Sequence, residues 1–134
     1  MISPEGRVVM ISGASRGIGL AVARNLYQAG FSLSLGVRDI EAMRNTVEDW
    51  DPSRVLISKY DAVDKETHKA WVDTTAERYG RIDGLVNNAG IMQPVSVDDG
   101  EFNEKGLDLM WSVNVKAPLS MTCLALPHLR KCGS

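Results

Sequence analysis

The chain has almost no excess of charge: 15 Lys and Arg stand against 17 Asp and Glu, a formal net charge of -2. Such a balance offers no basic surface for a nucleic-acid backbone, and no nucleic-acid partner is expected. Long apolar runs are missing as well, and no segment approaches the roughly 20 residues that a membrane-spanning helix needs. Cysteine is scarce. Cys123 and Cys132 lie nine positions apart on a helical-looking stretch, too far to bridge on one straight helix, and read as two free thiols of a reducing compartment. The opening Met1 to Arg7 has no basic flank leading into an apolar segment, so no signal peptide is expected and the cytoplasm is the expected location. The two histidines, His68 and His128, sit among charged neighbours and are expected at the surface. Nothing has metal-ligand spacing, so no metal is expected. Aromatic content is only 6%, and Met92, Met110, Met121 and the three tryptophans are most simply core or interface packing.

What the chain does hold is alternation. With 134 residues, 44% of them hydrophobic and 24% charged, it has the length and composition of one ordinary globular domain. Val8-Val9-Met10-Ile11 is a short apolar run suited to a strand buried on both faces. Residues 17–29 carry Ile18, Ala21, Val22, Asn25, Leu26 and Ala29 at helical spacing, and Gly30 follows as the stop. Leu33 to Val37 reads as a second strand, and residues 39–50 as a helix halted by Asp51-Pro52. Val55-Leu56-Ile57 reads as a third strand. Asp64 is placed to cap a helix reaching Tyr79, with Gly80 closing it, and Leu85-Val86 belongs to a fourth strand. A loop with Pro94 and Asp98-Asp99-Gly100 as turn signals leads to a long helical stretch from Glu104 to Lys131, interrupted at Pro118 and Pro127. Strand and helix in regular alternation imply right-handed βαβ units on a parallel sheet.

Gly13, Gly17 and Gly19 lie between the first strand and the first helix with the spacing G-x-x-x-G-x-G. The first permits a sharp turn and the second a close approach of backbone amides to a pyrophosphate. The third lets the helix pack close to the sheet, its positive end aimed at the phosphates. Ser12 and Ser15 can add hydroxyl donors. Glycines at this spacing also serve tight turns that bind nothing, and only the strand-helix context raises the nucleotide reading. Asn87-Asn88-Ala89-Gly90 leaves the fourth strand as a polar pair able to satisfy backbone groups without ladder partners.

Ser12 to Gly19, Asp61-Ala62, Asn87 to Gly90 and Asn114, in that order, resemble the motifs of the short-chain dehydrogenase/reductase family over essentially the whole chain. Ser12 stands where that family most often has Thr. The resemblance implies a Rossmann-like, doubly wound α/β fold, here truncated after the fourth strand and the following long helix. It also implies one NAD(P)-binding domain over residues 1–134, incomplete on its C-terminal side. Cofactor contacts are implied for Gly13, Ser15, Arg16, Gly17, Ile18, Gly19, Arg38, Asp61, Ala62, Asn88, Ala89 and Gly90. In the resemblance Asp61 meets the adenine amino group with Ala62 and Val63 lining the ring; a turn or helix cap is the other reading of that aspartate. Asn88 to Gly90 border the ribose, and Asn87 ties the central strands together.

The second strand ends Val37-Arg38-Asp39. An acid at the place of Val37 would accept from both ribose hydroxyls and favour NAD, whereas a 2′-phosphate calls for a cation. Arg38 can pair bidentately with such a phosphate and Arg16 can reach it from the glycine loop, so NADP(H) is favoured over NAD(H). Two solvated surface arginines are the plainer alternative. Asp39 counts mildly against the phosphate unless it caps the next helix.

Pro118 has no N–H to give to the carbonyl of Asn114, which leaves that carbonyl free in mid-helix and implies a kink. The family uses an asparagine at this place to hold a water of the proton relay through its main-chain carbonyl, so Asn114 is the one implied catalytic residue. A tolerated proline kink with Asn114 bonded in the core is the competing reading. The family's catalytic tyrosine has a lysine four residues on, and a serine holds the substrate oxygen. Here Tyr27, Tyr60 and Tyr79 are followed at that spacing by Phe31, Asp64 and Asp83, Lys116 does not match, and Cys132-Gly133-Ser134 stands where the serine-bearing fifth strand would begin.

The expected function is the NADP(H)-binding part of an oxidoreductase that interconverts a carbonyl and an alcohol by hydride transfer, with a small-molecule substrate in the complete enzyme. The alternative is a non-catalytic nucleotide-binding module or pseudoenzyme that oligomerises through an exposed sheet edge. A homo-oligomer is expected, with Leu109, Val113 and Leu124 on the long helix as interface residues.

Overall fold

The computed structural model describes residues 2–98 and 100–132. Its centre is a four-stranded parallel sheet in the order β3-β2-β1-β4. The strands are β1 (Val8–Ser12), β2 (Ser32–Val37), β3 (Val55–Lys59) and β4 (Gly84–Val86), and α1 (Gly17–Ala29), α2 (Ile40–Thr46) and α3 (Lys65–Tyr79) form the crossovers. A short 3-10 turn, Pro52–Arg54, precedes β3. After β4 come α4 (Glu104–Trp111), a π-helical turn (Ser112–Lys116) and α5 (Ala117–Cys132). The architecture is Rossmann-like.

Alternation along β1 divides the core into two layers, as a pleated strand buried on both faces must. Val9 and Ile11 join Leu33, Leu35 and Val37 beneath α1 and α2, where Ala23, Met43 and Val47 fill the layer. Met10 faces the opposite way, into a cluster of Tyr60, Trp71, Val72, Ile82 and Met121 beneath α3 and α5. Trp71 sits directly over Gly36: a Cβ there would fall 2.6 Å from the ring. The indole N–H donates to Ser34 Oγ at 2.8 Å, and Ser34 Oγ lies 2.7 Å from Thr75 Oγ1, so the buried hydroxyls of β2 are partnered from α3.

Local signals placed the helix ends well. Gly30 and Gly80 adopt the left-handed conformation, φ 110° and 72°, as C-caps of α1 and α3, and the Asp64 side chain accepts from Glu66 N at the start of α3. The second helix is shorter than the pattern implied. It ends at Thr46, because Trp50 leaves the helical path to stack on Tyr27 at 4.4 Å while Asp51 N donates to the Tyr27 hydroxyl. The turn expected at Asp98-Asp99-Gly100 includes Asp99, which lies outside the described residues, as do Gly133 and Ser134.

The long helix departs from expectation at one proline and not at the other. Before Pro118 the chain widens into the π turn, where Ala117 N donates to Ser112 O. A residue lacking an N–H and carrying a ring beside the preceding turn favours such a register change. Pro127, expected to interrupt, instead lies inside α5. Val113, expected at an interface, is buried within the chain, while Leu107, Trp111 and Leu119 are exposed. Among the described residues no helix is long and apolar enough to cross a membrane, and no group of three or more His, Cys, Asp and Glu could hold a metal ion. Cys123 and Cys132 are free thiols.

Candidate functional site

Parallel strands β1 and β4 are neighbours, although helices and two further strands separate them in sequence. Their connections leave in opposite directions across the sheet, which opens a crevice at their carboxyl ends. The first loop at that crevice is 13–16. Gly13 has φ 65° and Gly17 φ 57°, the left-handed region that favours glycine. Gly13 N donates to Gly36 O of β2 at 3.0 Å, completing the turn. At Gly19 a Cβ would collide with the Gly13 carbonyl oxygen and fall 2.5 Å from Asn88 Nδ2, so this glycine admits the loop and the end of β4 as much as the sheet.

Helix α1 begins without a cap. Arg16 at its N-cap position is extended and makes no side-chain capping bond, and no acidic residue lies in the first turn. Among the described residues the amides of the first turn have no side-chain acceptor, and Ser15, Arg16, Gly17 and Ile18 are all exposed around them. Ile18 shows 76% of its surface at the mouth of the crevice. Positive helix-end potential with open amides suits an anionic group.

Asn88 is the clamp of the crevice. Its Nδ2 donates to Gly13 O at 3.1 Å, and its backbone N–H and that of Ala89 both donate to Ser12 Oγ at 3.0 Å. Ser12, expected to offer a hydroxyl to phosphate, is 1% exposed and is committed instead to holding the end of β4 against β1. The strand-tying role expected of Asn87 also moves: Asn87 is exposed and reaches Thr122 Oγ1 of α5 at 3.3 Å, whereas Asn88 and Ser12 make the tie. Which of two adjacent asparagines reaches the first loop is decided by the turn of the chain beyond β4, where Asn88 N donates to Val86 O at 3.1 Å, and the sequence carries no sign of it.

Asn114 lies in the π turn, and its side chain grips one residue of the facing loop twice. Its Oδ1 accepts from Ile91 N at 2.9 Å and its Nδ2 donates to Ile91 O at 2.8 Å. A Cβ on Gly90 would meet that same Oδ1 at 3.3 Å. Gly90 and Asn114 are both exposed, so the pair is a surface clasp, not a core contact.

On the other side of β1, Arg38 follows β2 in the open. Asp39 caps α2 by accepting from Ala42 N at 3.0 Å, which takes its carboxylate away from the crevice. Lys59, in register with Val37, donates to the Arg38 carbonyl at 2.7 Å and places a further ammonium beside that turn. Among the described residues neither the Arg16 nor the Arg38 guanidinium has an acceptor. The turn after β3 carries Asp61, whose Oδ1 accepts from Val63 N at 3.1 Å; Asp64 N closes the turn on Asp61 O at 3.0 Å. Ala62 is half-buried and Val63 exposed next to it.

His68 was expected at the surface and is 1% exposed. Its Nδ1 lies 2.9 Å from Ser120 Oγ, and its Nε2 lies 3.1 Å from both the Asp61 and Ala62 carbonyl oxygens. The charged neighbours along α3 point to solvent on the other face, and only the arrival of α5 covers this one.

Burial pushes the Tyr60 phenol up to about 12, with the Asp61 carboxylate adding to the rise. Burial pushes Tyr79 up too, with Arg78 opposing and Asp51 adding, and among the described residues its hydroxyl has no hydrogen-bond partner. A proton-transfer tyrosine needs the opposite shift at neutral pH.

A family model described as short chain dehydrogenase matches residues 7–134. The chain belongs to the short-chain dehydrogenase/reductase family. Agropine synthesis reductase of Rhizobium rhizogenes is 42% identical over 133 residues, which are 97% of this chain and 30% of that protein. L-fucose dehydrogenase of Bos taurus is 34% identical over 126 residues, 94% of this chain and 46% of that one. Among solved structures, a short-chain dehydrogenase/reductase (glucose/ribitol dehydrogenase) of Brucella melitensis superposes with a TM-score of 0.88 at 29% identity, covering 96% of this chain and 54% of its own. A short-chain dehydrogenase of Streptomyces avermitilis gives 0.86 at 32% identity, covering 98% and 48%. The chain thus spans from about 30% to about half of the relatives it matches. Members of this short-chain dehydrogenase/reductase family bind nicotinamide cofactors and act on small molecules.

Proposed function

We propose that these residues form the NADP(H)-binding part of an oxidoreductase that interconverts a small-molecule carbonyl and alcohol. The observation that carries the reading is the uncapped start of α1 behind Gly13 and Gly17, with Arg16 at that start and Arg38 at the end of β2, neither guanidinium having an acceptor among the described residues. Open amides and a helix N-terminus suit a pyrophosphate, and Arg16 and Arg38 suit the additional dianion of a 2′-phosphate. A Cβ at Gly19 would fill the cradle, which fits the family's need for a glycine there. Gly13, Ser15, Gly17, Ile18 and Gly19 would hold the pyrophosphate. Asp61 and Ala62 would border adenine, and Asn88, Ala89 and Gly90 the ribose. When bound, the nicotinamide supplies or accepts the hydride.

Asn114 is the one residue of the family's proton-relay set that this chain contributes. Its side chain is spent on Ile91, so the part it plays toward water falls to its main-chain carbonyl, at the place where Pro118 offers no N–H. Tyr60 and Tyr79 have Asp64 and Asp83, not lysine, four residues on, and burial pushes both phenols up, so the proton-transfer role is assigned to neither. Lys59 braces the Arg38 turn and adds to the positive field there.

The test is a titration of the chain with NADPH and NADH, repeated on Arg38→Asp. Removing one charge-assisted bidentate contact and reversing its sign is expected to weaken NADPH about 30-fold or more, with NADH changed only a few-fold. Equal losses refute the phosphate assignment. A second reading, a nucleotide-binding module that self-associates without turnover, draws on β4 being paired on one side only, together with exposed Leu107, Trp111 and Leu119. It predicts saturable NADPH binding, assembly at rising concentration and no turnover of any carbonyl.

A further inference from the structure

His68 is the buried side chain that the cofactor reading leaves unused. A carbonyl oxygen only accepts, so the imidazole nitrogen facing the Asp61 and Ala62 carbonyls, Nε2, carries the hydrogen and is shared between them at 3.1 Å each. That tautomer leaves Nδ1 to accept from the Ser120 hydroxyl of α5 at 2.9 Å. Tyr60 closes the ring in from the side, with centroids 5.1 Å apart. One imidazole therefore joins the turn after β3 to α5, the helix that runs on from the π turn holding Asn114.

The same turn packs on the core through Ala62. A hollow of about 110 Å³ opens beside it, lined by Ala62, Val63, Lys65, Lys116, Ser112 and the edge of His68. Asp61 uses Oδ1 on Val63 N, while its other carboxylate oxygen has no partner among the described residues. A carboxylate free on one oxygen, on a turn that borders a hollow, is held in place by what binds its backbone. Thr67 Oγ1 accepts from Asp61 N, Asp64 N and the Thr67 hydroxyl donate to the Asp61 carbonyl, and His68 Nε2 is the side-chain donor that reaches that carbonyl and the Ala62 carbonyl together.

We propose that His68 is a positioning residue for the adenine end of the cofactor. Through Nε2–H it sets the height of the Asp61–Ala62 turn, and through Ser120 it ties that height to α5. The inference rests on the NADP(H) reading, in which Asp61 meets the adenine amino group. Lys65 and Lys116 at the hollow are exposed and, among the described residues, neither ammonium has a bond to the Asp61 or Ala62 carbonyl, so they do not replace the donor.

The test titrates the full chain with 2′,5′-ADP and NADPH, beside three variants chosen by where each side chain puts a donor. His68→Phe keeps the ring and removes both nitrogens. His68→Gln sets an amide N–H near the place of Nε2, whereas His68→Asn sets its amide near Nδ1. Loss of the shared donor is expected to weaken 2′,5′-ADP about tenfold in the Phe and Asn variants, with Gln within about threefold of the parent. Ser120→Ala, which leaves Nε2–H in place, is expected to lose about two- to threefold, and a ¹⁵N spectrum of the parent should show the Nε2–H tautomer, with its Nε2 resonance displaced on addition of 2′,5′-ADP. Phe binding as tightly as the parent, Gln no better than Phe, or an imidazole signal unmoved by ligand overturns the proposal. If His68→Phe does not fold, the Gln and Ala variants and the spectrum decide it. An unaltered chain that binds no 2′,5′-ADP overturns the cofactor reading and this inference with it; binding that ignores His68 overturns this inference alone.

Discussion

Replacing Gly19 with alanine puts a methyl group where the glycine loop touches the start of α1. The Cβ would lie 2.9 Å from the Gly13 carbonyl carbon and 2.5 Å from Asn88 Nδ2, and closer still to the Gly13 carbonyl oxygen. Ordinary carbon contacts begin at about 3.5 Å, so relieving the contact with Asn88 Nδ2 alone requires loop and helix to separate by about 1 Å. Neither neighbour yields easily: one is backbone, and the other is the amide that binds Gly13 O at 3.1 Å. Overpacking of this kind costs about 1–3 kcal/mol, offset by about 0.5–1 kcal/mol because alanine is the better helix residue. A net loss near 1–2 kcal/mol corresponds to a Tm lower by about 3–8 °C for a domain of this size.

The effect on ligand should exceed the effect on stability. Amide-to-phosphate bonds near about 2.9 Å lengthen past useful range when their loop moves this far, and each is worth about 1.5–3 kcal/mol when the acceptor is charged. NADPH affinity of Gly19→Ala should therefore fall by about tenfold to a few hundredfold. Gly6→Ala is the control. Gly6 has φ 73° with nothing within 4 Å of a Cβ, so it pays backbone strain without crowding the crevice. Its Tm should fall by a similar few degrees with NADPH binding unchanged. A Gly19→Ala protein that melts and binds like the parent, measured by thermal unfolding and fluorescence titration, would refute the close-approach account.

Two further outcomes follow from the geometry. Ser12→Ala removes the hydroxyl that accepts from Asn88 N and Ala89 N, and stability should fall by about 1–3 kcal/mol in urea unfolding; a loss under about 0.5 kcal/mol would show that the tie between β1 and β4 is redundant. For Asp83 the largest single influence is burial, which raises its pKa. Hydrogen bonds from Arg81 and Val8 N and the charges of Arg81 and Arg7 outweigh it, so the folded carboxyl titrates below its ordinary value. A depressed folded pKa contributes stability that is present above the unfolded value and is lost as pH falls through the folded one. The urea midpoint of the parent should fall below pH 4, and Asp83→Asn should flatten that acid limb; an unchanged limb would remove Asp83 from the account.

Much of this protein is written in neighbouring residues. The span of α1 came out at residues 17–29, and α3 begins after Asp64 and closes on Gly80, because a capping carboxylate and a left-handed glycine act within one turn of chain. Asp39 as a cap, and the positive φ of Gly13 and Gly17, are local in the same way. Alternating apolar runs separated by helices leave few arrangements other than a parallel, doubly wound sheet. Long-range placement was beyond such signals. Ser12 meets Asn88 across 76 positions, and its commitment there withdraws it from the phosphate role that its neighbours suggested. Asn88, and not Asn87, reaches Gly13 because the chain turns after Val86, where Asn88 N donates to Val86 O at 3.1 Å. His68 looks like a solvated residue on α3 until α5 packs over it, and the widened turn at Ser112–Lys116 shows that Pro118 is absorbed by a change of register while Pro127 continues the helix. Periodicity and turn chemistry operate over a few residues and can be read from the chain in order. Burial and hydrogen-bond partnership depend on which distant surfaces meet, and only the packed molecule decides that.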